Sequence, residues 1–326
     1  MRGRGRSALV WTGLAVTVLF AYLAVRNVDA GETWRAVREA NGWWLAPSLA
    51  LLAVAICVRA VRWRYLFVAE TRPPLGSITR ALLIGYLFNN ILPARAGEAA
   101  RIVVLTQTSG VSRAESAGTV VIERAYDVLS LLVLLFVLTP WLPEVTWLTT
   151  AATLAVVLGV VLAAGIIVLV VWGDRPLRAL LRPLGRFSLF PAERLERIAA
   201  NLTQGLAALH RPRIAVAAFV LTTVSWLVMG LSFWVAMLAF DLGLSPVAGI
   251  FVLIAIGLAS ILPSSPAGLG VFEAAAVVAL GAYGVPNSQA LSYGLVLHVV
   301  NFLPYLAVGF VALQQHAAGL RRLRQI

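Results

Sequence analysis

The chain is 326 residues long, 60% hydrophobic and only 12% charged, with a mean hydropathy of +0.89. Average soluble domains carry roughly 25% charged residues, so this composition argues against a soluble globular fold. The net charge is nevertheless +12, and all 26 basic residues are Arg. A charge of that size would suggest nucleic acid as a partner, but these arginines are spread along loops and make no basic face, so no nucleic-acid partner is expected.

Apolar stretches of about 20 residues, enough to cross ~30 Å of hydrocarbon, recur along the chain. Six read as full spans: 8–25, 43–61, 116–139, 149–172, 214–240 and 288–311. The first has the basic start and apolar core of a signal peptide, but it lacks a small-x-small exit, which favours an uncleaved anchor. The single cysteine, Cys57, lies in the second span and reads as a small packing residue. Two further regions do not fit a simple crossing. Residues 77–107 are interrupted across 89–98, and residues 247–283 across 261–270. Each half has the length of a re-entrant helix, and irregular backbone at that depth is tolerated only inside protein or beside water.

Basic residues in short loops orient the chain. With Arg2, Arg4 and Arg6 in the cytoplasm, Arg59, Arg62, Arg64 and Arg72 fall at the inner end of the second span. The eight arginines of the connection 173–213 and Arg321, Arg322 and Arg324 of the tail also fall inside. Only Arg26, Arg35 and Arg38 lie outside, beside Asp29, Glu32 and Glu39. A multi-pass protein of the cytoplasmic membrane with both termini inside is expected. Within the connection, Leu195, Ile198, Leu202, Leu206 and Leu209 follow helical spacing. An interfacial helix on the inner leaflet accounts for them; a docking surface for a partner is the other reading.

The two interrupted regions resemble each other. Both carry Ile-Leu-Pro (91–93 and 261–263), a glycine-containing loop, an acid (Glu98 or Glu273) and then Gly-Val before a full span. In the topology above the spans that follow run in opposite directions. This suggests an inverted repeat, with repeat one at about 77–139 and repeat two at about 247–311 of a single domain, 1–326. Transporters use such repeats to build a site near the midplane.

Ionisable groups inside a membrane cost at least ~2.5 kcal/mol each on insertion scales and usually face partners or a cavity. Glu123, Arg124 and Asp127 lie in the span 116–139, with the two acids on one helical face. Two readings stay open: a structural pair of Glu123 with Arg95 or Arg101, or a polar cavity in which Arg124 binds an anion. In the first interruption, Asn89 and Asn90 precede Arg95, Glu98 and Arg101. A half helix restarting near Ala96 would aim free N–H groups and two guanidiniums at a phosphate. In the second, Glu273 reads either as a helix cap or as a buried, proton-linked carboxylate. His298 and Asn301 share a face of the last span, where hydrogen-bonded structure and a proton relay are both open. No nucleotide, hydrolase, paired-cysteine or metalloprotease motif is present, so no cofactor, metal or catalytic residue is expected.

The runs 59–63, Gly85-Tyr86-Leu87-Phe88-Asn89-Asn90-Ile91-Leu92-Pro93-Ala94-Arg95-Ala96-Gly97-Glu98, Glu123-Arg124-Ala125-Tyr126-Asp127 and Pro263–Glu273 resemble the lysylphosphatidylglycerol synthase transmembrane-region family, also called flippase-like. The resemblance spans nearly the whole chain. It implies the lipid-translocating module of those synthases without their aminoacyl-transfer domain, for which no room follows the last span. The expected architecture is an all-α integral membrane protein of six full spans and two re-entrant broken helices. The expected function is a flippase for a phospholipid or polyprenyl-linked precursor. Arg95, Arg101, Arg124, Asn89 and Asn90 would bind the cargo; Glu98, Glu123, Asp127, Glu273 and His298 would pair charges or carry protons. A homo-oligomer or an envelope-lipid enzyme as partner fits the same picture. The alternatives are a membrane-embedded glycosyl- or aminoacyl-transferase, for which Asp29 and Glu32 are the surface acids, and a non-transporting scaffold.

Overall fold

The computed structural model describes residues 18–22, 24–26, 28–68, 70–92, 96–173, 175–176, 179, 211–260 and 265–323. The amphipathic stretch 191–210, most of the first span and the tripeptides 93–95 and 261–263 lie outside these residues. The described residues contain helices and no strand. After helical residues at 18–22 and 24–25, a short helix α1 (Ala30–Glu39) is followed by α2 (Leu45–Tyr65), α3 (Leu75–Ile91), α4 (Ala96–Ser109) and α5 (Arg113–Leu138). Then come α6 (Thr146–Trp172), α7 (Pro212–Leu238), α8 (Pro246–Ala259), α9 (Val271–Gly281) and α10 (Asn287–Leu323). Among the described residues, three stretches are long and apolar enough to cross a membrane on length and composition alone: Gly42–Tyr65, Pro212–Leu238 and Asn287–Gly319. Together with the shorter apolar helices they make this an all-α membrane protein.

Both interrupted regions are pairs of helices. α3 ends where Leu92 turns extended (φ −112°, ψ 145°), the conformation a following proline imposes on its neighbour. Helix resumes at Ala96, and α4 folds back against α3. Their contact is backbone on backbone, because a Cβ on Gly97 would lie 1.9 Å from the carbonyl oxygen of Gly85. In the second pair a 3-10 turn, Pro266–Gly268, separates α8 from α9. Gly270, at φ 81°, caps α9, and its N–H donates to the Glu273 carboxylate at 2.7 Å. The turn of the second pair packs against α3 of the first, so the two interruptions meet.

Small residues bring the long helices together, as expected where no water drives apolar surfaces together. Between α2 and α7, Ser48 Oγ donates to the Ser232 carbonyl (2.9 Å) and Ser232 Oγ donates to the Ser48 carbonyl (2.7 Å). Gly249 of α8 lies against the backbone of Trp234 in α7. Two apolar cores result. One gathers Ile78, Leu82, Leu105 and Ile122 around α3, α4 and the first half of α5. The other gathers Leu131, Phe233, Leu253 and Leu280 around α7, α8, α9 and the second half of α5. The polar residues Glu123 and Asp127 fall where α5 passes from one core to the other.

The Gly85–Gly97 approach leaves no room for a methyl group. Gly97→Ala is expected to lower stability by about 1–3 kcal/mol, the usual cost of overpacking, read as a lower Tm in detergent. Gly281→Ala, with nothing within 4 Å of its new Cβ, is expected to leave Tm unchanged.

Candidate functional site

α5 carries Glu123 and Asp127 on the face turned toward α2, α4 and α7. Glu123 is fully buried, and three guanidiniums converge on it. Arg62 of α2 reaches its Oε1 at 3.0 Å, and Arg124 of the same helix reaches that oxygen at 2.8 Å. Arg101 of α4 donates to both carboxylate oxygens, at 3.0 and 3.2 Å. One turn along, Asp127 accepts from Arg62 at 2.5 Å and from the Trp226 indole of α7 at 3.2 Å. Its other oxygen faces Arg124 at 3.3 Å. Glu98, in the first turn of α4, pairs with Arg101 and lies 3.6 Å from Arg124. The contacts of Arg62 with Asp127 and of Arg124 with Glu123 are short and charge-assisted, the strong class of hydrogen bond.

Aromatic rings back the cluster. The Arg101 guanidinium lies over Trp63 at 4.7 Å, and Trp63 itself donates to Thr119. Arg59, one turn before Arg62, lies over the Trp226 ring at 4.5 Å and donates to the Tyr86 hydroxyl at 3.5 Å. Among the described residues no carboxylate forms a salt bridge with it. Four guanidiniums (Arg59, Arg62, Arg101, Arg124) therefore face three carboxylates (Glu98, Glu123, Asp127).

A cavity of about 260 Å³ adjoins this cluster, between the two broken pairs. Arg124, Asp127 and Asn90 line one side of it, and His298 and Asn301 of α10 another. Trp226, Phe272, Phe302 and Tyr305 contribute aromatic walls. His298 Nδ1 meets Glu273 Oε1 at 2.5 Å, and its ring stacks on Phe272 at 4.5 Å. Glu273 is thus both the cap of α9 and the partner of His298.

Residues 10–309 match the family described as the lysylphosphatidylglycerol synthase TM region. The chain belongs to that family. Among curated proteins it is 25% identical to Glycosyltransferase AglD of Haloferax volcanii, over 91% of this chain and 52% of that protein. The chain therefore spans about half the length of that relative. It is also 26% identical to a UPF0104 membrane protein of Methanothermobacter thermautotrophicus, over 91% of this chain and 90% of the other. A third relative is a UPF0104 membrane protein of Methanocaldococcus jannaschii, 24% identical over 68% and 91% of the two chains.

Within this member of the family the residues singled out from sequence divide into groups. Glu98, Arg101, Glu123, Arg124 and Asp127 form one network, and Glu273 pairs with His298. Arg101 does not line the cavity: it is buried, and its guanidinium is taken up by Glu98 and Glu123. Asn90 lines the cavity, whereas Asn89 lies against Gly97 at the hairpin crossing. Arg95 lies outside the described residues. The N-terminus of α4, expected to offer free N–H groups to a phosphate, carries Glu98 in its first turn. Arg59 and Arg62 were placed by loop counting at the inner membrane surface, yet Arg62 is 1% exposed and belongs to the network. Its i,i+3 spacing from Arg59 on an apolar helix was the signal available in sequence. Asp29, the surface acid of the transferase alternative, accepts the Glu32 N–H and caps α1.

Removing one partner of a buried ion pair costs about 3–5 kcal/mol. Glu123→Ala removes the carboxylate that three guanidiniums share, leaving Arg59, Arg62, Arg101 and Arg124 with only Glu98 and Asp127, and is expected to lower Tm in detergent sharply. Arg124→Ala removes a side chain that is 38% exposed and leaves Glu123 with Arg62 and Arg101, so a much smaller loss is expected.

Proposed function

We propose that the protein moves the phosphate-bearing headgroup of a phospholipid or lipid-linked precursor across the cytoplasmic membrane. The observation that carries this reading is a cation-rich cluster at the wall of a cavity between two broken helix pairs. Among the described residues, four guanidiniums to three carboxylates leave the cluster with one positive charge in excess. Arg59 is the guanidinium without a carboxylate partner, and Arg124, the most exposed of the three paired arginines, is the one through which the cluster faces the cavity. In a low-dielectric site a phosphodiester anion answers it far better than water does. Glu98, Glu123 and Asp127 orient the arginine so that binding requires no rearrangement.

Size supports a headgroup as the occupant. The cavity of about 260 Å³ lies just below the ~300–1,000 Å³ typical of pockets that enclose a whole drug-sized ligand. Acyl or prenyl tails would stay in lipid, and the tips of both interruptions expose apolar side chains, Ile91 and Leu92 on one and Leu269 on the other. Rocking of the two broken pairs about their contact would expose the cavity to each side in turn, as inverted repeats do in transporters.

A second reading draws on the relative named as a glycosyltransferase: the chain would be the membrane half of a sugar-transfer system. It requires an acceptor-activating carboxylate. Asp29 is already committed to capping α1, so Asp29→Ala is expected to weaken that helix by roughly 1 kcal/mol without loss of activity. Loss of glycosyl transfer in that variant would favour the transferase.

Two measurements test the translocator. Purified protein in liposomes is expected to move labelled phospholipid or prenyl phosphosugar between leaflets, and Arg124→Ala is expected to stop movement at unchanged expression. Failure of the parent protein to move either lipid overturns the reading. For the inverted topology, a Cys57→Ala background carrying Glu70→Cys or Ser245→Cys is expected to be labelled by an impermeant maleimide from inside and outside respectively. Labelling of both from one side rules the inversion out.

A further inference from the structure

The cavity has two chemically different ends, and only the cationic one is explained by a phosphate. At the other end stand Asn301 and His298. Asn301 is 6% exposed, and its Nδ2 donates to the Leu297 carbonyl at 2.9 Å. That bond sets the orientation of the amide and leaves Oδ1 as a buried acceptor. Among the described residues Oδ1 has no hydrogen-bond partner. A buried acceptor without a partner costs about 1–3 kcal/mol, which a ligand can recover. One turn away, a His298 imidazole that donates through Nδ1 to Glu273 presents Nε2 as a second acceptor. The Glu273 oxygens are occupied by the His298 ring and the Gly270 N–H. This end of the cavity therefore accepts hydrogen bonds.

We infer that the cavity recognises its lipid at two points: the phosphodiester at Arg124, and a hydrogen-bond donor on the headgroup, a hydroxyl or an ammonium, at Asn301 and His298. The inference rests on the translocator reading for the nature of the ligand, and adds to it the class of headgroup. A lipid whose phosphate carries only a methyl group fills the first point and leaves the second unsatisfied. Sugar, glycerol and ethanolamine heads fill both, with the aromatic walls of Phe272 and Phe302 flanking the head.

The test is binding to the full chain in detergent, read as thermal stabilisation by short-chain lipids. The probes are dihexanoyl phosphatidylglycerol, phosphatidylethanolamine and phosphatidylmethanol, together with citronellyl phosphoryl glucose. Each donor-bearing source is compared separately with phosphatidylmethanol, so that glycerolipid and prenyl-sugar cargoes are told apart. At least one donor-bearing probe is expected to bind about tenfold more tightly than phosphatidylmethanol, the scale of one buried hydrogen bond. Asn301→Leu is expected to erase that margin while leaving phosphatidylmethanol affinity unchanged. Equal affinity for all four probes overturns the inference, as does an Asn301→Leu variant that weakens all four alike. The probe series on the parent protein decides the matter even if the variant fails to fold. A tenfold preference without lipid movement in liposomes would overturn the translocator and leave two-point recognition standing.

Discussion

The buried carboxylate of Glu123 is the constraint on which the rest of the structure depends. Three guanidiniums from α2, α4 and α5 converge on it where it is fully buried. None of these charges is affordable alone in hydrocarbon, so the helices that carry them are held at one spacing. α7 joins through Asp127, which accepts from Trp226, and through Thr222, which accepts from Arg62. The fold of the first broken pair follows from this. Arg101 ties the middle of α4 to α5, while Gly97 lets its start cross α3.

The two sides of the cavity are held by different forces. On the side of the first pair, directional ionic contacts link α2, α4, α5 and α7. On the side of the second pair, α8 and α9 are held mostly by apolar packing, with the Glu273–His298 contact linking α9 to α10. The cavity lies on the boundary between them, and both interruptions end there because their irregular backbone needs protein or polar surroundings. Under the proposed two-point recognition, the anion and the donor-bearing head would fall to different helices.

Sequence reading went furthest where local chemistry is unambiguous. Proline and glycine punctuation located both interruptions, and α4 begins at Ala96, where the restart was expected. The carboxylates of α5 stood out because charge within an apolar run is costly, and Arg101 was named as a partner of Glu123 for that reason. Arg62 was missed because an arginine in the last turn of a span normally snorkels to the headgroups. Nothing in the α2 sequence reveals that α5 lies alongside and offers two acids. Asn301 was noticed, but that its amide oxygen is left without a partner depends on the bond to Leu297 and on the packing around it.

By itself the sequence determined the class, an all-α membrane chain with two broken apolar regions and acids buried in one span, since hydropathy, helix breakers and charge are local properties. The excess of arginine reads there as a matter of loops and orientation. Only the tertiary structure decided which arginines leave the surface, that four of them gather around three carboxylates, and that the two interruptions meet at one cavity. Pairing in a low-dielectric interior depends on distances between helices far apart in the chain, and those distances are set by packing.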